Sequence, residues 1–96
     1  MTHSDEKIKK VWNKAKVVGN NDPDVYRKDQ CDAWIRRESY GNTNSPYGWE
    51  VDHINPDGGD ELANLRPLHW KNNRAKGEGP LKCVVTSKEG KNVDIE

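Results

Sequence analysis

The sequence has few aliphatic residues and no phenylalanine from which to build a hydrophobic core. Of 96 residues, eight are Val, four are Ile, four are Leu and none is Phe. This share lies below the roughly 20% at which disorder becomes a concern, but disorder also requires high net charge. Here 16 basic residues balance 16 acidic ones, and four Trp and three Tyr add bulk. We therefore expect one small folded domain with loose ends.

Other missing features exclude whole classes of protein. No apolar run approaches the roughly 18 residues of a membrane span, and the N-terminus MTHSDEKIKK lacks the apolar segment of a signal peptide. The two cysteines, Cys31 and Cys83, are too few for a disulfide scaffold or a four-thiolate zinc site. We expect them to be buried free thiols in a reducing, cytoplasmic setting, and the sequence leaves a disulfide between them open.

The zero net charge hides an uneven distribution along the chain. Residues 1–20 carry five Lys against two acids, and residues 47–66 carry one base against five acids. The last 30 residues, 67–96, are basic again, with six bases against four acids. Nucleic-acid-binding domains are usually strongly basic, which this chain as a whole is not. An acidic segment between two basic ones is instead suited to holding a cation.

Periodicity and turn residues predict an α+β fold with one small domain. Helices are predicted over residues 4–18, 23–28 and 69–76, and strands over residues 31–37, 47–53, 65–68 and 81–85. We divide the chain into an N-terminal helical or flexible arm (1–20), a central domain (21–80) and a C-terminal strand with a flexible tail (81–96).

One stretch, residues 49–76, carries a recognisable set of motifs: WEVDHINPDGGDELANLRPLHWKNNRAK. Asp52-His53 ends a predicted strand, a Gly-Gly pair follows in a loop, Asn64-Leu65 opens the next strand, and Asn73-x-x-Lys76 lies on a helix. In this order and spacing the four motifs resemble the HNH endonuclease family, in its small subgroup without zinc. The resemblance covers 28 of the 96 residues. It implies a ββα-metal core, which is an antiparallel hairpin plus a short helix around one divalent ion.

The residue types suit phosphodiester hydrolysis, which needs an activated water and a cation on the phosphate oxygens. Asp52 offers an anionic oxygen and Asn73 a neutral amide oxygen, both suited to Mg²⁺ or Mn²⁺. An imidazole such as that of His53 can take a proton from water near neutral pH. Neighbouring strand residues point in opposite directions, so Asp52 can reach the ion while His53 faces the water.

The resemblance implies a role for each of these residues. His53 would be the general base, Asp52 and Asn73 would hold one divalent ion, and Asn64 would fix the loop and orient His53 through backbone hydrogen bonds. Phosphates would be met by Lys71, Arg74 and Lys76. The implied reaction is hydrolysis of nucleic acid, with DNA favoured and RNA possible, leaving 5′-phosphate and 3′-hydroxyl ends. Target specificity would then come from a separate subunit, and the sequence leaves the oligomeric state open.

The chain departs from the family pattern where many members hold a structural zinc. The corresponding positions here are Cys31, Trp34, His69 and Asn72, and tryptophan cannot bind zinc. We therefore expect no structural zinc and infer that packing of Trp34 and Trp70 replaces it. Asn72 is a competitor of Asn73 for the metal.

Two further alternatives stay open. Glu50 lies on the Asp52 side of the strand, where it is either exposed to solvent or in contact with a ligand of the ion. The chain as a whole is alternatively a catalytically weak HNH-fold module that binds nucleic acid or a protein partner, and the zero net charge slightly favours that reading.

Overall fold

The computed structural model describes residues 3–95, so Met1, Thr2 and Glu96 of the predicted arm and tail lie outside it. The elements in chain order are α1 (Asp5–Trp12), β1 (Tyr26–Lys28), β2 (Trp34–Arg36), β3 (Trp49–His53), β4 (Leu65–His69), α2 (Trp70–Lys76), β5 (Val85–Lys88) and β6 (Lys91–Asp94). The strands pair antiparallel, β1 with β2, β3 with β4, and β5 with β6. The predicted mixture of helices and short antiparallel strands is confirmed. Within residues 3–95 neither helix has the length and apolar character needed to cross a bilayer.

Helix α1 begins where the sequence places it but ends earlier. The Ser4 side chain caps the helix by accepting a backbone hydrogen bond of 3.2 Å from one turn later. The predicted helix extended to Val18, whereas the observed one ends at Trp12. Lys16 instead exchanges two backbone hydrogen bonds with Lys28 in β1, of 2.8 and 3.0 Å. Strand pairing therefore overrides the helical periodicity beyond residue 12.

The segment after α1 forms a strand where the sequence predicts a helix over residues 23–28. Only one turn forms, closed by hydrogen bonds from the backbone N–H groups of Val25 and Tyr26 to the Asp22 carbonyl. Strand β2 is shorter than the predicted strand 31–37. Its start is delayed because Asp32 adopts a left-handed backbone with φ of 62°, which belongs to a turn and not to a strand.

The core lies between α1 and the β3–β4 hairpin. It comprises the buried residues Val11, Trp12, Ala15, Ile35, Trp49 and Leu65. The rings of Trp12 and Trp49 have centroids 5.3 Å apart, and neither side chain is exposed. Each indole N–H donates to a backbone carbonyl, that of Pro23 or Arg37, so no buried donor is left unpaired in this pair. Residues 5–12 are thus the helical form of the predicted arm and part of the core.

The hairpin and α2 follow the predicted elements within about two residues, a normal margin for element boundaries. Asp52 lies opposite Arg66 in the β3–β4 register. His69 ends β4 and caps α2, because its Nδ1 accepts the backbone N–H of Lys71 at 3.1 Å. Gly77, with φ of 55°, ends the helix. The chain therefore turns directly from β4 into a helix that packs back against the hairpin.

The C-terminal segment is a hairpin, whereas the sequence predicted one strand and a flexible tail. Glu89 and Gly90 form its two-residue turn with φ of 54° and 82°. Two positive φ values at a tight turn match the right-handed twist of the flanking strands. The Asn92 side chain holds the hairpin against the backbone of Trp34. It donates to the Trp34 carbonyl at 2.9 Å and accepts from the Trp34 backbone N–H at 2.6 Å.

A disulfide joins Cys31 to Cys83, so the expectation of buried free thiols was wrong. The Cα atoms lie 5.5 Å apart, and the bond ties the turn before β2 to the segment before β5. Disulfides persist mainly in oxidising compartments, which counts against the reducing setting expected from the sequence.

Candidate active site

One cavity brings together four of the seven residues that the sequence singles out. It has a volume of about 240 Å³, and its lining includes Asp52, His53, Asn73 and Lys76. The end of β3 supplies the first two residues, and α2 supplies the others. The fold thus converts positions 21 residues apart in the chain into one site, because α2 packs back against β3.

Asp52 is a buried carboxylate with a positive charge at each oxygen. Its Oδ2 accepts a hydrogen bond of 2.7 Å from Nε of Arg66, its cross-strand neighbour. Its Oδ1 lies 3.2 Å from the ammonium of Lys76. Arg66 also donates to Gln30 at 2.8 Å, which fixes the guanidinium in place. The carboxylate is therefore held rigidly at the cavity wall.

Lys76 lies in a different environment from the other two basic residues of α2. Its side chain is 2% exposed, and its ammonium pairs with the Asp52 carboxylate. The other two predicted phosphate contacts, Lys71 and Arg74, have side chains 45% and 61% exposed. Both lie over the ring of Trp70. The three basic residues of α2 thus occupy two separate environments.

His53 lies at the cavity with one ring nitrogen engaged. Its Nε2 is 2.5 Å from Oδ1 of Asp60, a residue of the loop between β3 and β4. The hydrogen bond from His53 holds the pKa of the Asp60 carboxyl below its ordinary value. Lys7 of α1 donates to the Asp60 carbonyl at 2.6 Å. The ring of His3 is also near, with its centroid 6.4 Å from that of His53.

Asn64 bridges the loop between β3 and β4 through its side-chain amide. Its Oδ1 accepts the N–H of Asn55 at 2.9 Å, and its Nδ2 donates to the carbonyls of Asn55 and Gly59 at 3.1 and 2.9 Å. Its backbone carbonyl accepts the N–H of Ile54 at 2.8 Å, next to His53. A Cβ atom at Gly58 would lie 2.6 Å from the Asn64 amide, so the loop requires a glycine there. Asn64 itself lies outside the cavity lining.

Glu50 orients the amide of Asn73. Asn73 donates through Nδ2 to one Glu50 oxygen at 3.0 Å, and Arg74 donates to the other at 3.0 Å. The Glu50 side chain is 21% exposed, so it is not simply solvated. With Nδ2 on Glu50, the amide oxygen of Asn73 is the atom left for another partner.

Asn72 is a structural residue, which removes it as a competitor of Asn73. It is fully buried, and its Oδ1 accepts the N–H groups of Val84 and Val85 at 2.8 Å each. Its Nδ2 donates to Asp29 and to the Val85 carbonyl. Asp29 also accepts the backbone N–H of His69 at 2.9 Å. These polar contacts, with the disulfide, join α2 to the segments before β2 and before β5.

The two tryptophans near these positions pack in different places. Trp34 packs edge-on against Tyr26, with ring centroids 6.3 Å apart, and lies under the ammonium of Lys28. Trp70 stacks on His69 and donates to the Ser45 carbonyl at 3.0 Å. The two tryptophans therefore serve separate contacts.

A divalent cation at this cavity would have few protein ligands. Among residues 3–95, no three His, Cys, Asp or Glu side chains come together as a metal site. Asp52 and Asn73 offer two oxygen donors on one cavity, and Mg²⁺ commonly uses one or two carboxylates and keeps several waters. The donors fit such an ion, provided that the Lys76 ammonium moves away from Oδ1 of Asp52.

A larger cavity of about 560 Å³ lies between the segment after α1, β1 and β4. Its cationic side chains already have partners. Lys14 donates to the Leu62 carbonyl at 2.8 Å, and Lys16 pairs with Asp32 at 2.7 Å. The smaller cavity, where a carboxylate, an imidazole and an amide converge, is therefore the better candidate for chemistry.

The sequence missed two residues that hold the site, Asp60 and Arg66, and left the role of Glu50 open. Glu50 shares the Asp52 side of β3, and Arg66 faces Asp52 across the register, so strand alternation and pairing carried a signal for these two. Asp60 had no such signal, because its approach to His53 depends on how the loop closes.

Comparison of the chain with protein-family models, with curated proteins and with solved structures finds no match.

Proposed function

We propose that this chain is a metal-dependent endonuclease of the HNH type that hydrolyses phosphodiester bonds of DNA. The observation that carries the proposal is the single cavity lined by Asp52, His53, Asn73 and Lys76. The antiparallel β3–β4 hairpin followed by α2 supports the same reading, since it has the order of a ββα-metal core. DNA is the favoured substrate and RNA the alternative.

His53 acts as the general base. It removes a proton from a water molecule as the water oxygen attacks phosphorus, and the bond between phosphorus and the 3′-oxygen breaks. The 3′-oxygen leaves and takes up a proton, so the products are a 5′-phosphate and a 3′-hydroxyl. Asp52 and Asn73 would hold Mg²⁺ or Mn²⁺, and such an ion would polarise the phosphate and stabilise the negative charge that develops.

The three basic side chains of α2 contact the nucleic acid in two places, two of them on the surface and one inside the cavity. Lys71 and Arg74 are exposed and reach the backbone beside the site. Lys76 lies inside the cavity, where it faces the charge of the scissile phosphate once it separates from Asp52. These few contacts give little sequence discrimination, so a separate subunit would supply target choice.

A plasmid-nicking assay with Mg²⁺ or Mn²⁺ tests the proposal. Replacement of His53 by Ala is expected to lower the rate by about 10²–10⁴-fold, because that is the usual contribution of a general base. His3→Ala is the matched control, since His3 is the neighbouring histidine and has no assigned role. Wild-type activity in His53→Ala, or equal losses in both variants, would remove His53 from its role.

A second function, binding of nucleic acid without cleavage, is favoured by the two ion pairs of Asp52. Both Asp52 oxygens already have cationic partners, Arg66 and Lys76, and such a pair is complete without an ion. This module predicts a retarded but uncut DNA band in the presence of metal. It also predicts a binding constant that falls as salt rises.

A further inference from the structure

In the loop between β3 and β4, the carboxylate of Asp60 lies against the imidazole of His53, the proposed base. Oδ1 of Asp60 lies 2.5 Å from Nε2 of His53, and the two side chains are 59% and 34% exposed. Because neither side chain is buried, hydrophobic packing does not hold them together. The contact depends on the conformation of the loop main chain.

That main chain is anchored close to Asp60. The Asn64 amide binds the Gly59 carbonyl at 2.9 Å, immediately before Asp60. Lys7 of α1 binds the carbonyl of Asp60 itself at 2.6 Å. These contacts fix the loop main chain so that the Asp60 carboxylate lies beside His53.

We propose that Asp60 is a positioning residue that fixes the tautomer and the orientation of His53. An ionised carboxylate accepts hydrogen bonds and cannot donate them, so a bond to Nε2 requires the imidazole hydrogen on Nε2. The lone pair is then on Nδ1, which makes no hydrogen bond within residues 3–95 and is free to take a proton from water. This inference rests on the proposed nuclease function and extends it to a residue outside the family motif.

The alternative is an exposed ion pair without consequence, which is a common outcome for surface charges. The two readings differ in what the imidazole does when the carboxylate is removed. Asp57 provides a matched control, because it belongs to the same loop and is exposed. Its carboxylate makes no ion pair or side-chain hydrogen bond among the residues that the structure describes.

The test compares Asp60→Ala, Asp60→Asn and Asp57→Asn with the wild type. Nitrogen-15 NMR of the His53 ring, at a pH where the imidazole is neutral, reports which nitrogen carries the hydrogen. The wild type and Asp57→Asn are expected to show hydrogen on Nε2. Asp60→Ala is expected to move the ring nitrogen shifts toward those of the tautomer mixture of a free imidazole, with kcat for DNA cleavage lower by about 10–100-fold and KM unchanged. Asp60→Asn keeps an oxygen acceptor, and its effect is expected to be intermediate.

The outcomes separate this inference from the nuclease proposal. If Asp60→Ala keeps the ring nitrogen shifts of the wild type, Asp60 does not position His53 and the inference is wrong. If the wild type cleaves no nucleic acid with any divalent ion, the nuclease proposal fails, and the ring shifts still decide whether Asp60 sets the tautomer. Equal loss of activity in Asp57→Asn and Asp60→Asn would assign the effect to general disturbance of the loop and overturn the inference.

Discussion

At the scale of single residues, the pairing of Asp52 with Arg66 and Lys76 determines how the site can be tested. The Asp52 side chain is 5% exposed, and those of its partners are 11% and 2% exposed. Removing one member of a buried ion pair costs roughly 3–5 kcal/mol, because the charge left behind has no partner. Asp52→Ala would therefore measure folding as much as metal binding, because it leaves both Arg66 and Lys76 without their partner. Replacement of Lys76 leaves Asp52 paired with Arg66 and is the milder change.

Lys76→Met is expected to strengthen binding of Mg²⁺ or Mn²⁺ at the cavity. The ammonium of Lys76 competes with the ion for Oδ1 of Asp52, and methionine fills similar space without charge. Two unit charges about 4 Å apart interact by ~4 kcal/mol at an effective dielectric constant of about 20, so an increase in affinity of about tenfold is a modest expectation. Isothermal titration calorimetry measures it, with the exposed Lys71→Met as control. Equal affinity in wild type and Lys76→Met would contradict the competition.

The neighbouring residues Asn72 and Asn73 are expected to differ sharply on replacement by Ala. Asn72→Ala removes the buried hydrogen bonds to Asp29 and to the backbone of Val84 and Val85. Each buried group left unsatisfied costs about 1–3 kcal/mol, so a loss of roughly 2–4 kcal/mol in the free energy of unfolding is expected. Asn73→Ala should change stability little and weaken metal binding. Urea unfolding and calorimetry on both variants measure this contrast, and the reverse pattern would exchange their roles.

At the scale of elements, the sequence predicted best where local signals and tertiary packing agree. Strands β3 and β4 and helix α2 lie where alternation, the turn-forming residues 55–60 and Gly77 place them. The helix predicted through Val18 and the one predicted over 23–28 were overridden by pairing between Lys16 and β1 and between β1 and β2. Such pairing depends on the partner segment as much as on a segment's own residues, so the pattern of one segment alone does not reveal it.

The candidate site divides in the same way. Asp52, His53 and Asn73 were identified from motif spacing, since the family pattern lies within 28 residues of sequence. Their partners were not, because the contact of His53 with Asp60 depends on loop closure, and the burial of Lys76 depends on how α2 turns back on the hairpin. Sequence therefore predicts which residues meet at the site more readily than what holds them.

The cap of α2 makes the stability of that helix sensitive to acid. Neutral His69 accepts the Lys71 N–H through Nδ1, and its Nε2 contacts the Pro46 carbonyl at 2.8 Å, a contact that suits a donated N–H. Burial lowers the pKa of His69, although the hydrogen bond to Pro46 works in the opposite direction. The folded protein therefore binds this proton less readily than the unfolded chain. The stabilisation is complete above the ordinary histidine pKa of about 6.5 and is lost as the pH falls from there through the lower pKa of the folded state.

His69→Asn is expected to reduce this pH dependence, because asparagine also caps a helix but does not titrate. Free energies of unfolding of both proteins, measured by urea between about pH 7.5 and about pH 5, test the expectation. The difference between the two curves isolates His69 from the other titrating groups. Parallel curves would show that protonation of His69 does not affect folding.

At the scale of the whole molecule, the bond between Cys31 and Cys83 carries a large share of the stability. It links residues 52 positions apart, and closing a loop of this length stabilises the fold by about 4 kcal/mol through loss of chain entropy in the unfolded state. Dithiothreitol is expected to lower the midpoint of thermal unfolding in the wild type. It should leave the midpoint of the double variant Cys31→Ala, Cys83→Ala unchanged. A wild-type midpoint that does not respond to complete reduction would contradict the estimate.

The same bond has a topological consequence for the region that holds the candidate site. The ring that it closes runs from β2 through both strands of the central hairpin to the end of α2, and every candidate site residue lies inside it. A protease that cuts once anywhere in this ring, for example in the glycine-rich loop, leaves two fragments that stay covalently tethered. Only a reductant then releases them.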